Sequence, residues 1–134
     1  MQWVGIRLNF NDFDNLEDWS MKLYSYKKCG TCRKAKFFFD AHKVSYDEID
    51  ITENPPPRLI LKKAIKAKGI KKLFNTSGEQ YKKLKVKDKI RNMSEAQALE
   101  LLSGNGRLVK RPIAVDGSRI TVGFDENEYK EIWS

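Results

Sequence analysis

Cysteine and histidine are scarce in this chain, with two Cys and one His among 134 residues. A secreted disulfide scaffold needs more than two cysteines. A tetrahedral zinc site needs about four ligands. Beyond Cys29 and Cys32 the chain offers only His42, at the far end of a predicted helix. No metal is therefore expected, and His42 is read as a helix-end surface residue without a role. No run approaches the roughly 20 apolar residues of a membrane helix, so no membrane contact is expected. Residues 1–20 are acidic and broken by Asn and Asp. They lack the basic start, apolar middle and small-residue cleavage site of a signal peptide. A cytoplasmic protein is expected. There is no internal repeat, and lysine alone is locally enriched.

What remains is a chain of ordinary globular character. Its 134 residues fit one core, 40% are apolar and 33% are charged. The net charge of +8 is unevenly spread. Residues 1–20 hold one base and four acids, and residues 92–134 hold five bases and seven acids. The excess lies at residues 58–91, with thirteen bases against two acids. Such a face can attract nucleic acid, an acidic protein or an anionic substrate. The plainer reading is a solvated lysine-rich surface, because most of the bases are Lys with few aromatics interleaved for stacking. Direct DNA binding is not expected.

Residues 1–20 read as an N-terminal extension, although Trp3, Val4, Ile6, Leu8 and Phe10 suit a short strand. The folded domain is expected to span residues 21–134. Lys22-Leu23-Tyr24-Ser25-Tyr26 predicts a strand, and Lys27-Lys28-Cys29-Gly30 a turn. A helix is predicted over 31–42 with Ala35, Phe38 and Phe39 inward. A second strand over 44–51 would use Val44, Tyr46, Ile49 and Ile51 as its apolar side. Strand, helix and strand within about thirty residues make a βαβ unit with parallel strands. Asn54-Pro55-Pro56-Pro57 ends it and opens a helix with Leu61, Ala64, Ile65 and Lys68 on one face. Tyr81, Leu84 and Val86 suggest a short helix. Ser94 and Gln97 form a capping box for a helix ending near Gly104. Arg111 to Val115 predicts a strand, Asp116-Gly117 a hairpin turn, and Arg119 to Phe124 the returning strand. Asp125 caps a last helix whose buried stripe is Tyr129, Ile132 and Trp133.

Cys29-Gly30-Thr31-Cys32 thus follows a strand and opens a helix. A helix start offers unpaired N–H groups and about half a positive charge, both of which favour thiolate over thiol. Lys27, Lys28 and Arg33 add positive charge nearby. Cys32, one turn on, can reach back to a mixed disulfide at Cys29, which makes Cys29 the attacking and Cys32 the resolving sulfur. Two inert thiols at a helix start are the rival reading.

Five stretches resemble the arsenate reductase/Spx family of thioredoxin-fold proteins (the ArsC-like proteins). They are Tyr26-Lys27-Lys28-Cys29-Gly30-Thr31-Cys32-Arg33-Lys34-Ala35, Glu53-Asn54-Pro55-Pro56-Pro57-Arg58, Phe74-Asn75-Thr76-Ser77-Gly78, Lys110-Arg111-Pro112-Ile113 and Val122-Gly123-Phe124-Asp125-Glu126. The resemblance implies an α/β thioredoxin-like fold. Its halves are βαβ and ββα, its sheet is mixed, and a helical insertion spans about residues 57–104. It implies a cis bond before Pro112, which brings Arg111 beside Cys29 to stabilise the thiolate or bind an oxyanion. The catalytic residues are then Cys29, Cys32 and Arg111, and Gly30, Thr31 and Pro112 are the expected substrate-binding positions.

Glutathione-dependent arsenate reductases hold their oxyanion with three arginines. Arg111 matches one, and the other two positions fall near Asn75 and Gly123. Each charge-assisted hydrogen bond is worth roughly 1.5–3 kcal/mol, so the resemblance argues against true arsenate reduction. Spx regulators share the paired cysteines and bind the α subunit of RNA polymerase. The chain ends soon after the Val122–Glu126 stretch, short of the tail those regulators carry. The Asn-Pro-Pro-Pro and Phe-Asn-Thr-Ser-Gly segments resemble the reductase-like branch. The expected function is a thiol–disulfide oxidoreductase acting on a small thiol or protein disulfide, with glutathione or thioredoxin as reductant and no bound cofactor. The alternative is a redox-sensing regulator docking on RNA polymerase. A monomer is expected.

Overall fold

Leu23 and Tyr24 are neighbours in the chain, and successive strand residues point to opposite faces of a sheet. In the computed structural model, which describes residues 21–134, both are buried and each anchors its own core. They lie on β1 (Lys22–Ser25), followed by helix α1 (Gly30–Ala41) and strand β2 (Asp47–Asp50). β2 runs parallel to β1, with Ile49 opposite Tyr24. Strand β3 (Ile113–Asp116) is antiparallel on the other side of β1, and β4 (Arg119–Val122) is antiparallel to β3. The order β2-β1-β3-β4 is the expected mixed sheet.

On one face, Leu23 and Ala114 meet Ala35, Phe38 and Phe39 of α1 and Tyr129 and Trp133 of α6 (Glu126–Trp133). The spacing 35, 38, 39 is one helical stripe, which is why α1 lies flat on the sheet. The Trp133 indole N–H donates to the buried Thr121 hydroxyl at 3.1 Å, so the polar atom on this face is satisfied.

The other face carries Tyr24, Ile113 and Val115 beneath the inserted helices α2 (Arg58–Lys68), α3 (Glu79–Lys83), α4 (Val86–Lys89) and α5 (Glu95–Gly104). Local chemistry sets their starts. Ser94 Oγ accepts from the Gln97 N–H at 3.1 Å, and Gln97 Oε1 accepts from the Ser94 N–H at 2.9 Å. Asp125 accepts from the Glu128 N–H at 3.0 Å to begin α6. The hairpin turn bends at Gly117, where φ is +59°.

Several expectations need correction. β2 is shorter than 44–51, and its apolar residues divide between the faces. Val44 and Tyr46 pack in the α1 core, while Ile49 and Ile51 belong to the insertion core. The odd interval between 46 and 49 requires this, because strand residues alternate with period two. β3 and β4 are likewise shorter than 111–115 and 119–124 suggested, since pairing begins at Ile113 and ends at Val122. Of the residues that suggested a short helix, Tyr81 and Val86 are buried and Leu84 is 38% exposed. Lys85 takes a left-handed conformation, φ +54°, and divides the expected short helix into α3 and α4. Lys68 does lie at the end of the Leu61, Ala64, Ile65 face of α2, half-buried and ion-paired to Glu128 of α6. The strand suggested at Trp3 to Phe10 lies outside the described residues.

Backbone pairing ties the insertion to the approach to β3. Phe74 and Val109 form an isolated antiparallel bridge, the Lys110 N–H donates to Leu73 O at 2.7 Å, and the Asn75 N–H donates to Leu108 O at 2.7 Å. The chain entering Arg111 is therefore held along the insertion.

Candidate active site

The turn after β1 ends with the Cys29 N–H donating to Tyr26 O at 3.0 Å. Cys29 then takes an extended conformation, φ −103° and ψ 116°, and becomes the cap of α1. Capping side chains accept a hydrogen bond from a free N–H of the first turn. Here a sulfur does so: Cys29 Sγ accepts from the Cys32 N–H at 3.2 Å. Sequence and geometry agree at this point, because a cysteine at the cap leaves its sulfur where the backbone donors converge.

The two sulfurs have different surroundings. Cys29 is half-buried, and Cys32 is fully buried at 0% exposure. Burial on its own would raise the Cys29 thiol. Hydrogen bonds from the Cys32 side chain and amide and from the Arg111 guanidinium, with that guanidinium's charge, outweigh it and bring the thiol below its ordinary value. Burial, together with its partnership with Cys29, pushes Cys32 up to about 12. The accessible sulfur is therefore the more acidic of the two, and the inner one keeps its proton at neutral pH.

Arg111 arrives from a distant part of the chain, on a peptide bond to Pro112 that is cis. The Gly123 N–H donates to Pro112 O at 2.8 Å and holds this segment against the end of β4. The Arg111 guanidinium lies over the Tyr26 ring, 4.9 Å from its centroid, and that of Arg107 lies 5.8 Å from the same ring. Sequence reasoning assigned neither Tyr26 nor Arg107. An aromatic three residues before the first cysteine was visible, but its use as a platform for two arginines depends on residues 81 and 85 positions further on.

The predicted residues Cys29, Cys32 and Arg111 thus meet. Gly30 is exposed at the helix start, Thr31 is half-buried, and Pro112 is buried. The charge acting on Cys29 is that of Arg111; Lys27, Lys28 and Arg33 are exposed to solvent. Arg33 turns to donate to Lys27 O at 3.4 Å. Asn75 and Gly123 bring no guanidinium, and the Asn75 side chain accepts from the Ser77 hydroxyl at 3.4 Å. His42 is exposed, with Nδ1 2.9 Å from Phe38 O and its ring stacked on Phe38. Among the described residues no cluster of three or more His, Cys, Asp or Glu could hold a metal ion.

Thr31 opens onto a hollow of about 900 Å³ whose walls include Lys71, Lys72, Phe74, Thr76, Lys110 and Gly123. The facing wall, from α6 and its approach, brings Asp125, Glu128 and Glu131.

Residues 24–132 match the ArsC family. The Bacillus subtilis protein YusI is 46% identical over 117 residues, covering 86% of this chain and 99% of YusI. The regulatory protein MgsR, also from Bacillus subtilis, is 31% identical over 110 residues, covering 81% of this chain and 86% of MgsR. An ArsC family related protein from Bacteroides fragilis, solved by crystallography, superposes with a TM-score of 0.78 at 37% identity, covering 84% of this chain and 96% of that one.

Proposed function

The chain belongs to the ArsC family, and on that premise we propose that it is a thiol–disulfide oxidoreductase whose attacking sulfur is Cys29. The division of labour between the sulfurs carries this reading. The outer one is reachable and held toward thiolate by the Cys32 amide and Arg111, while the inner one is sealed and protonated.

The thiolate of Cys29 attacks one sulfur of a substrate disulfide. The substrate S–S bond breaks, one half leaves as a thiolate, and the other becomes a mixed disulfide with Cys29. Cys32 then attacks Cys29 Sγ as its proton passes to the departing sulfur, which releases the second half as a thiol. The substrate gains two electrons, and the protein becomes a Cys29–Cys32 disulfide. A thioredoxin-type dithiol, or two glutathione molecules, returns the pair to thiols. Alternatively an outside thiol attacks the mixed disulfide directly. Gly30 and Thr31, in the first turn of α1 after Cys29, and Pro112, bonded to Arg111, are the proposed contacts for the substrate backbone. The reading is of a cytoplasmic monomer.

Arsenate reduction is poorly supported, because Asn75 and Gly123 supply none of the additional guanidinium charge. A second reading, a redox-sensing regulator that docks on the RNA polymerase α subunit, is favoured by the similarity to MgsR. Retention of polymerase by the chain in one redox state but not the other would favour the regulator.

Mass spectrometry after treatment with oxidised glutathione tests the enzyme reading. The Cys32→Ser chain should carry one stable adduct, on Cys29. The wild-type chain should resolve it to an internal disulfide, and Cys29→Ser should not react. An adduct on Cys32, or none anywhere, would sink the assignment.

A further inference from the structure

The lysine-rich insertion contains a second hollow, of about 650 Å³, lined by Ile70, Lys71, Thr76, Tyr81, Lys87, Ile90 and Arg91. Its volume is within the range of sites that hold a ligand. Lys71 and Thr76 line both this hollow and the one opening at Thr31, two residues after Cys29, so the two meet along those residues. Their charge differs. Carboxylates stand in the wall of the first hollow, and none lines the second. The side chains of Lys71, Lys87 and Arg91 are exposed and make no ion pair with any described residue. The same lining includes the half-buried Ile70 and Ile90, each preceding one of these cations in the chain.

We infer that this second hollow holds an acidic segment of the protein whose disulfide Cys29 attacks. An apolar side chain of that segment rests on Ile70 and Ile90, and its carboxylates face Lys71, Lys87 and Arg91. The inference rests on Cys29 being the attacking sulfur. It narrows the substrate from any disulfide to a protein disulfide flanked by acidic and apolar residues. A small disulfide at Cys29 has no chain to extend past Lys71 and Thr76; a polypeptide does. Three unneutralised cations favour an anionic occupant. The apolar strip favours a peptide over a nucleic acid. Tyr81, the one aromatic in the lining, is 7% exposed and offers no free face on which a base could stack.

The test uses the full chain carrying Cys29→Ser and a labelled, cysteine-free octapeptide of alternating Glu and Leu, followed by fluorescence anisotropy. The peptide should bind, and more weakly as salt rises. Lys87→Glu with Arg91→Glu should weaken it about tenfold, the scale of two exposed ion pairs turned to repulsion. Lys62→Glu with Lys66→Glu makes the same change in net charge outside both hollows and should leave binding nearly intact. Exchanging the peptide leucines for serine should also weaken it. Circular dichroism of each chain establishes that it is folded. Absence of binding, or equal loss with both pairs of reversals, would overturn the proposal. So would tighter binding of a single-stranded oligonucleotide lost through the same Lys87 and Arg91 changes. Because the chain tested lacks Cys29, docking is read apart from turnover. Docking without thiol release from a disulfide-bearing form of the peptide by the wild-type chain would count against the oxidoreductase reading instead.

Discussion

Replacing Arg111 by methionine removes the guanidinium that reaches the Cys29 sulfur while keeping much of the side-chain volume. A hydrogen bond to a charged group contributes about 1.5–3 kcal/mol. Arg111 is half-exposed, so screening points to the lower end, about 1.5 kcal/mol. The ionisation constant of the thiol should then fall roughly tenfold. The remaining thiolate becomes more basic and, with a Brønsted slope of about 0.4–0.5, intrinsically about threefold more reactive. The two effects oppose each other. Below both titrations the variant should react about threefold more slowly; above both it should react about threefold faster. Iodoacetamide alkylation followed across pH, in a Cys32→Ser background so that one sulfur is scored, reads this directly. The two rate profiles should cross. Superimposable profiles would show that Arg111 does not act on the sulfur. A variant slower by a constant factor at every pH would show that it acts by steric positioning alone.

Alkali should destabilise the reduced protein through Cys32. Its thiol rises from 9.0 to about 12 on folding, so both states hold the proton at neutral pH. Between those values the unfolded chain ionises first, and folding stability falls as pH rises, by up to about 1.4 kcal/mol per pH unit for one proton. Urea denaturation at stepped pH should show a shallower decline in Cys32→Ala; an unchanged slope would refute the assignment. A Cβ at Gly106 would lie 1.8 Å from Ile51 O, whereas nothing lies within 4 Å of one at Gly104. Gly106→Ala should therefore lower urea stability by about 1–3 kcal/mol, the usual cost of overpacking, and Gly104→Ala should not. Equal effects at the two positions would contradict this packing.

The local devices were legible from the residues. The Ser94 and Asp125 caps, the Asp116-Gly117 turn and the Ala35, Phe38, Phe39 stripe each depend on residues a few positions apart. The α1 stripe and the strand before it placed Cys29 at a helix start. The division of β2 between two cores was less legible: Val44, Tyr46, Ile49 and Ile51 look like one apolar set until the odd interval is counted. The division of the helix expected at Tyr81, Leu84 and Val86 was not legible, because apolar spacing takes no account of the left-handed turn at Lys85.

By itself the sequence determined that a strand would hand over to a helix at two cysteines, because turn chemistry, capping and periodicity are short-range effects. It also indicated, through resemblance, that an Arg-Pro pair would accompany them. Tertiary structure alone decided that the first sulfur would be open and the second sealed, since burial is a property of what packs above a residue. It alone seated Arg111 and Arg107 on Tyr26, and it alone separated the unpaired Lys71, Lys87 and Arg91 from Lys68, which is neutralised by Glu128. The physical reason is common to all three. Charge and desolvation act through space, and the chain spacing of these residues says nothing of the distances that folding gives them.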